Sequence, residues 1–494
     1  MSSLKYRTQG FKKLPLIALL VISAGCQKDF SNPSLKTPLI NTIQGDSNCL
    51  DTMVTPSYEE QRLKNILVPN GKPFATQILE ASGFDRFAPQ FSRNLCDIQT
   101  IKSFDDSQRL VKRAGIELWQ AAVNRVQGQE IKGSLPQSDD RMLYWARLQM
   151  TLILRQWKPS FTLTQAQREE LQWTLERASR GQYSMQFPSD SHVKRIIISG
   201  FDPFTLGTPG ADHPSTKVRI GNPSGAIALA LNGKTFKLSD GSTAVIQTYL
   251  LPVNYSDFQK GMQEYTVAPF FKGKGHVLAS ITMSQGGKGA FWIENWHSRY
   301  HATNFADNTG LVIPATLPSV EEASIYPPTD ILGYNPRPWV QDKPKQFTVT
   351  SLPINAILAA HTGKSIINPE THKQGGYDVI WHTPYSVFPD CQKMATQDFN
   401  SEVPPPKIPV APLANACAQK GSGGNYLSNE SGYRNTLLRD LYNPSILAGH
   451  LHVPVMTNFK PGDDDQISDA LFEAYRDSIV QQATEIVGVI VKTL

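Results

Sequence analysis

The run VKRIIISGFDPF, residues 193–204, most constrains what this chain can fold into. Its β-branched core is apolar at successive positions, which predicts a strand buried on both faces, and it stops at a glycine-containing turn. A buried strand running into a loop is the usual opening of an α/β domain. Further strands are predicted at 243–251, 276–282 and 377–381, with helices between them, including 225–231 and the tail 465–492. The alternation predicts a three-layer α/β/α domain over 191–494 with a mostly parallel central sheet. Residues 366–423, rich in Pro, Asn and Gly, read as an insertion in it.

Upstream the pattern is helical, and a smaller, mainly helical domain is expected over 46–190. Residues 140–157 place Tyr144, Leu148 and Leu152 on one stripe with Trp145 beside it. Thr164 and Gln167 form a capping box before the next helix, and 106–127 reads as another.

The first 25 residues differ again. Lys5, Arg7, Lys12 and Lys13 precede the apolar run LPLIALLVISAG, which is too short to span a bilayer and suited to a signal peptide. The run ends in ISAGC, so Cys26 is the expected lipidation site and 26–45 a flexible tether. Gln27, rather than an aspartate that would signal inner-membrane retention, comes after the cysteine. The expected location is therefore the bacterial envelope, in the periplasm and anchored to the outer membrane. The formal net charge is +5, but four of those positive charges lie in the leader, so the remainder is close to neutral and gives nucleic-acid binding no support. Cys49, Cys96, Cys391 and Cys417 remain. In an oxidising compartment they predict two disulfides, and their division into an early and a late pair favours Cys49–Cys96 and Cys391–Cys417.

Glu294, Ser428 and His452 succeed one another as acid, hydroxyl and imidazole. A serine needs a base to take its proton, and a carboxylate can orient that base and stabilise its cation. In GGNYLSN, residues 423–429, Ser428 falls where a short strand turns into a helix, with backbone N–H groups at hand for an oxyanion.

Several stretches, in order, resemble pyroglutamyl peptidase I, a cysteine peptidase family that removes N-terminal pyroglutamate. GFDPF at 200–204 resembles the loop that helps form the family's pyroglutamate pocket, with Phe201 and Phe204 as its aromatics. NPSG at 222–225 matches the family's next motif. LPVNY at 251–255, DNTG at 307–310, SLPINAI at 351–357 and HVP at 452–454 also match. SQGGKGAFWIE at 284–294 resembles the stretch leading to the catalytic Glu, with Lys288 in place of Arg. GGNYLSN matches the nucleophile motif except that Ser428 replaces Cys; Asn429 is retained. The resemblance runs from about residue 194 to the end, interrupted by the insertion. It implies Glu294, Ser428 and His452 as catalytic residues, and Phe201, Phe204, Asn222, Gly286, Gly287 and Asn429 as substrate-binding ones. It also implies a peptide with a blocked N-terminus as substrate, and no metal or organic cofactor. The alternative is a family member without catalysis that binds a peptide or a partner in the envelope. His450 and His452, spaced H-x-H, are a weaker metal-ligand candidate. His297 and His301 are expected at the surface, and Trp292 and Trp296 are expected to wall or pack around Glu294.

Overall fold

The computed structural model describes residues 49–494 apart from 131, 191, 274, 302–303, 318–344, 403, 405 and 415. The predicted leader, Cys26 and the tether lie outside these residues. Five helices come first: α1 (Phe74–Ser82), α2 (Phe87–Leu95), α3 (Phe104–Val126), α4 (Arg141–Gln156) and α5 (Gln165–Ala178). Ser103 caps α3 by accepting from the Asp106 N–H, and α5 opens with the expected Thr164–Gln167 capping box. Helix α4 is buried nearly all round and lies in the middle of the bundle, with Trp145 fully buried and Arg141 and Arg147 buried beside it.

The α/β part comes next, with β1 (Val193–Phe201), α6 (Pro223–Leu231), β2 (Thr235–Lys237), β3 (Thr243–Leu251), α7 (Tyr255–Gln259), α8 (Met262–Phe271) and β4 (Ala279–Gln285). It continues with β5 (Ala290–Glu294), β6 (Trp296–Ser298), β7 (Phe347–Val349), α9 (Ile354–Ala360), β8 (Asp378–His382), β9 (Tyr385–Phe388), β10 (Gln397–Phe399) and β11 (Cys417–Lys420). The chain ends with α10 (Leu427–Tyr442), β12 (Leu447–Val453) and α11 (Ala470–Lys492). Seven strands form one sheet in the order β2-β3-β1-β4-β12-β5-β8. The four strands β3, β1, β4 and β12 run parallel, whereas β2 and β5 run antiparallel to their inner neighbours. This is the mostly parallel sheet the sequence predicts.

The period of two along each strand sorts the layers. Ile196, Ile198, Ile246, Ile281, Ile293 and Leu451 face α6, α9 and α11, where Ile227, Ile357, Ile479 and Ile486 complete a dry core. On the other face, Ile197, Tyr249 and Leu251 meet residues of α7, α8 and α10. Under the middle of α10 that face turns polar. Ser280 donates to Asn435 at 2.6 Å, and Thr282 and Ser284 hydrogen-bond His450. Each of these buried groups therefore has a partner, which rigidifies α10 against the sheet.

The helical part shares its core with the α/β part. Trp119, Leu143 and Trp145 belong to one apolar cluster with Ala228, Leu229 and Leu250. Residues 366–423 supply β8 to the edge of the main sheet, and β9 to β11 as a separate three-stranded antiparallel sheet. Both disulfides are formed as paired from the sequence, Cys49–Cys96 and Cys391–Cys417, with Cα atoms 5.7 Å apart in each. Among the described residues no helix is long and apolar enough to cross a membrane.

Candidate active site

Strand register brings the acid and the base together. β12 pairs antiparallel with β5, so His450 lies opposite Glu294 and His452 opposite Trp292, all on the face beneath α10. Glu294 is fully buried, and the His452 Nδ1 is 2.6 Å from its Oε1. Gly286 makes this approach possible: a Cβ there would stand 2.7 Å from the His452 Cβ. At Gly287 a Cβ would reach the Trp292 ring at 2.9 Å. These two glycines thus make room for the site's side chains.

A second imidazole shares the carboxylate. Glu294 pairs with His382 across β5 and β8, and the His382 Nδ1 is 3.1 Å from Oε2. The Trp292 ring stacks on His382, with centroids 4.5 Å apart, and stands edge-on to His452. Trp292 thus packs against both imidazoles that share Glu294. Burial alone would raise the Glu294 carboxyl, but the His382 and His452 rings outweigh it and hold it well below the usual carboxylate range. For His382, burial opposes the charged form and the Glu294 carboxylate more than restores it, so its value is raised. Among the described residues the His452 Nε2 has no hydrogen-bond partner, and it is not sealed from solvent.

Ser428 is the second residue of α10 and half-buried. Its Oγ donates to the Gly423 carbonyl at 3.2 Å, and no Ser428–His452 hydrogen bond is formed. This differs from the expected direct pairing, because the turn at 421–424 turns a carbonyl toward the hydroxyl. Gly421 and Gly424 exchange two backbone bonds of 2.9 Å, with Gly424 at φ 86°, a conformation that favours glycine. Gly423 lies between the candidate groups. A Cβ on it would be 3.2 Å from His452 Cε1, 3.7 Å from Glu294 Cδ and 3.8 Å from the Asn429 nitrogen. The first backbone N–H of α10 to bond back is that of Glu430, to Tyr426, which leaves those of Ser428 and Asn429 unclaimed at the helix start among the described residues.

The remaining predicted residues divide by role. The Asn429 side chain is buried and clamps the Ser298 backbone, accepting at 2.9 Å and donating at 2.8 Å. Asn222 caps α6 and donates to the Asp202 carbonyl at 3.0 Å. Both act here as positioning residues. Phe201 is buried and stacks on Phe258, with centroids 6.2 Å apart. Phe204 is only half-buried and approaches Tyr426, which also meets Tyr255 and Phe305. An aromatic group therefore gathers around Tyr426, two residues before Ser428. The loop carrying the two phenylalanines is tied down from both sides. Asn308 donates to the Pro203 carbonyl at 2.8 Å, and Asp202 pairs with Arg147 and Arg180 at 2.7 Å each.

His297 and His301 correct the expectation of surface histidines, since both are buried. Gly432 on α10 makes room for the His297 ring, which burial lowers to about 4. His301 pairs with Glu430. Both nitrogens of His450 are engaged by Thr282 and Ser284, so the H-x-H pair presents no free ring nitrogen at its first position. Trp296 packs edge-on against Tyr385. Among the described residues no group of three or more His, Cys, Asp or Glu is set to hold a metal. His382 is the residue that sequence reasoning missed. Its only local signal is an imidazole directly after the predicted strand at 377–381.

Part of this chain is similar to two solved peptidases. The overlay with a mutant pyrrolidone carboxyl peptidase from the hyperthermophile Pyrococcus furiosus takes in 61% of this chain and 99% of that one, at 15% identity and a TM-score of 0.33. With the pyroglutamyl peptidase I of Bacillus amyloliquefaciens the shares are 60% and 95%, at 15% identity and a TM-score of 0.31. In sequence, the chain is 44% identical over 485 residues to the protein of Pseudomonas aeruginosa named uncharacterized protein PA0049, covering 86% of this chain and 87% of that one. Residues 41–176 match the PA0049 N-terminal domain and 195–457 match the PA0049 C-terminal domain; the chain belongs to the PA0049 family.

Proposed function

We propose that this protein is an amide hydrolase of the bacterial envelope that uses Ser428, His452 and Glu294, with an N-terminal pyroglutamyl or similar cyclic acyl amide as substrate. The observation that carries this reading is the buried Glu294 carboxylate on the His452 Nδ1 at 2.6 Å, with Nε2 left open beside the Gly423 turn. A carboxylate so placed fixes the tautomer that makes Nε2 the base. The Ser428 hydroxyl leaves the Gly423 carbonyl for Nε2 when substrate enters, since catalytic hydrogen bonds often tighten only in the complex. Ser428 Oγ then attacks the amide carbon as its proton passes to Nε2, and the Ser428 and Asn429 N–H groups receive the oxyanion. The C–N bond breaks as His452 returns the proton to the leaving amine. Water, deprotonated in turn by His452, cleaves the acyl-enzyme and restores the serine. Phe204 and Tyr426 offer ring surface to a small cyclic acyl group. Anchoring through lipidated Cys26 would hold the domain in the periplasm on the outer membrane.

One observation favours a second reading, a peptide- or partner-binding protein without turnover: the Ser428 hydroxyl is satisfied by Gly423 rather than by His452. The test is release of a fluorescent amine from pyroglutamyl amides by the oxidised full chain. The hydrolase reading expects turnover that Ser428→Ala and His452→Ala each reduce by about 1,000-fold or more, on the order seen when a triad member is removed. Tight binding of the same amides without release would favour the second reading.

A further inference from the structure

Residues 58–66 of the N-terminal part, which include a short helical turn over Glu60–Lys64, bond to two loops that border the candidate site. The buried Arg62 guanidinium donates to the Asn308 carbonyl in the 305–311 loop and lies over the Tyr58 ring, 5.3 Å from its centroid. Gly310, at φ 81°, leaves room for that ring, since a Cβ there would stand 3.1 Å from it. Asn65 is fully buried and holds the 205–215 loop, donating to the Thr208 carbonyl at 3.0 Å and accepting from the Gly210 N–H at 2.6 Å. The Ser215 N–H donates to the Ile66 carbonyl at 3.0 Å. Loop carbonyls and N–H groups outside strands and helices need partners, and here the N-terminal part supplies them.

The 305–311 loop in turn holds the aromatic group. The Asn308 side chain donates to the Pro203 carbonyl beside Phe204, and its N–H donates to the Val253 carbonyl at 2.9 Å. The Tyr255 hydroxyl donates to the Phe305 carbonyl and the Tyr426 hydroxyl to the Ala306 carbonyl, at 3.1 Å each. Arg62 is thus one bond from a loop that is itself bonded to the neighbour of Phe204 and to Tyr426. We infer that Arg62 is a positioning residue of the candidate site, which locks the 305–311 loop from the N-terminal part and so fixes the ring surface of Phe204 and Tyr426. Removing the guanidinium leaves the Asn308 carbonyl without this donor. The loop must then be ordered when substrate binds, and that cost falls on binding rather than on bond cleavage. The use of this surface for substrate rests on the hydrolase reading, whereas the locking of the loop does not.

Hydrogen exchange of the oxidised full chain tests the lock, and kinetics test its use. In Arg62→Met the amides of 305–311 should exchange about fivefold faster or more, while those of β4 and β12 keep their wild-type rates. Arg62→Lys, which retains a donor, should fall between the two. On a pyroglutamyl amide, Arg62→Met should raise KM about tenfold or more and lower kcat by less than about threefold. Fluorophosphonate labelling of Ser428 should stay within about twofold of the wild-type rate, because that probe does not need the acyl surface. If Arg62→Met fails to fold in a thermal melt, Tyr58→Ala, at an exposed ring, supplies the same test. Unchanged exchange at 305–311, or exchange that rises equally throughout, would overturn the lock. An unchanged KM in an active enzyme, or labelling that falls as far as kcat/KM, would overturn the positioning role. Wild-type protein that neither turns over nor takes the label would overturn the hydrolase reading instead, and the exchange result alone would then decide the lock.

Discussion

The Glu294 carboxylate holds two imidazoles, and they answer to different tests. His452 faces the Gly423 turn with a free Nε2, whereas His382 is held between Glu294 and the Trp292 ring. His382→Gln should therefore retain measurable activity while His452→Ala abolishes it. The stability effect has a defined sign. The raised value of His382 means that its pairing contributes fully below its unfolded value of 6.5 and is lost as pH rises through the higher folded value. Thermal melts should therefore show a larger loss for His382→Gln at pH 6 than at pH 9. Equal losses at both would remove the charged pairing from the account. Glu294 has the opposite sign: its depressed value contributes above the unfolded value of 4.5 and is lost only as pH falls through the folded value. Glu294 and His452 were legible in the sequence as part of an ordered set of motifs. His382 was not, because its meeting with Glu294 depends on the pairing of β5 with β8, two strands far apart in the chain.

At the scale of elements, α10 carries the candidate nucleophile and is fixed from below by glycines and polar pairs. Gly432 faces the His297 ring so closely that a Cβ would stand 2.7 Å from Nδ1. Gly432→Ala should cost about 1–3 kcal/mol, the usual range for overpacking a filled core, and should lower activity by tilting the helix start. A melting temperature equal to the wild type would contradict this. The strands and helices were readable from period and capping: the 193–201 run, the Thr164–Gln167 box and the predicted strand at 243–251 all stand where the pattern put them. The burial of His297 and His301 was not readable. It arises from a helix docking over β6, and nothing in the local polarity of the WHSRYH stretch reports that.

Across the whole molecule, the helical part and the α/β part share one apolar cluster, and Arg147 and Arg180 reach across to Asp202 in the loop of Phe201 and Phe204. All three charged groups are buried. Breaking such a pair leaves an uncompensated charge, so Asp202→Asn should cost roughly 3–5 kcal/mol. It should also raise KM more than it lowers kcat, because the loop it frees adjoins the aromatic group. Residues 191–494 expressed alone should fail to give a cooperative melt, since Ala228, Leu229 and Leu250 would lose their cover. A stable, cooperative fragment would show that the helices are dispensable to the fold. The sequence separated the two parts by their periodicity but could not report the shared core, which joins residues of α3 and α4 to residues of α6 and β3 far along the chain.

The central claim is that Ser428 is an activated nucleophile, and the most direct measurement is reaction of the oxidised full chain with a fluorophosphonate, then mass mapping of the adduct. The account predicts a single adduct on Ser428 that is absent in Ser428→Ala and strongly reduced in His452→Ala. A folded protein that takes no adduct, or takes one elsewhere, would contradict it.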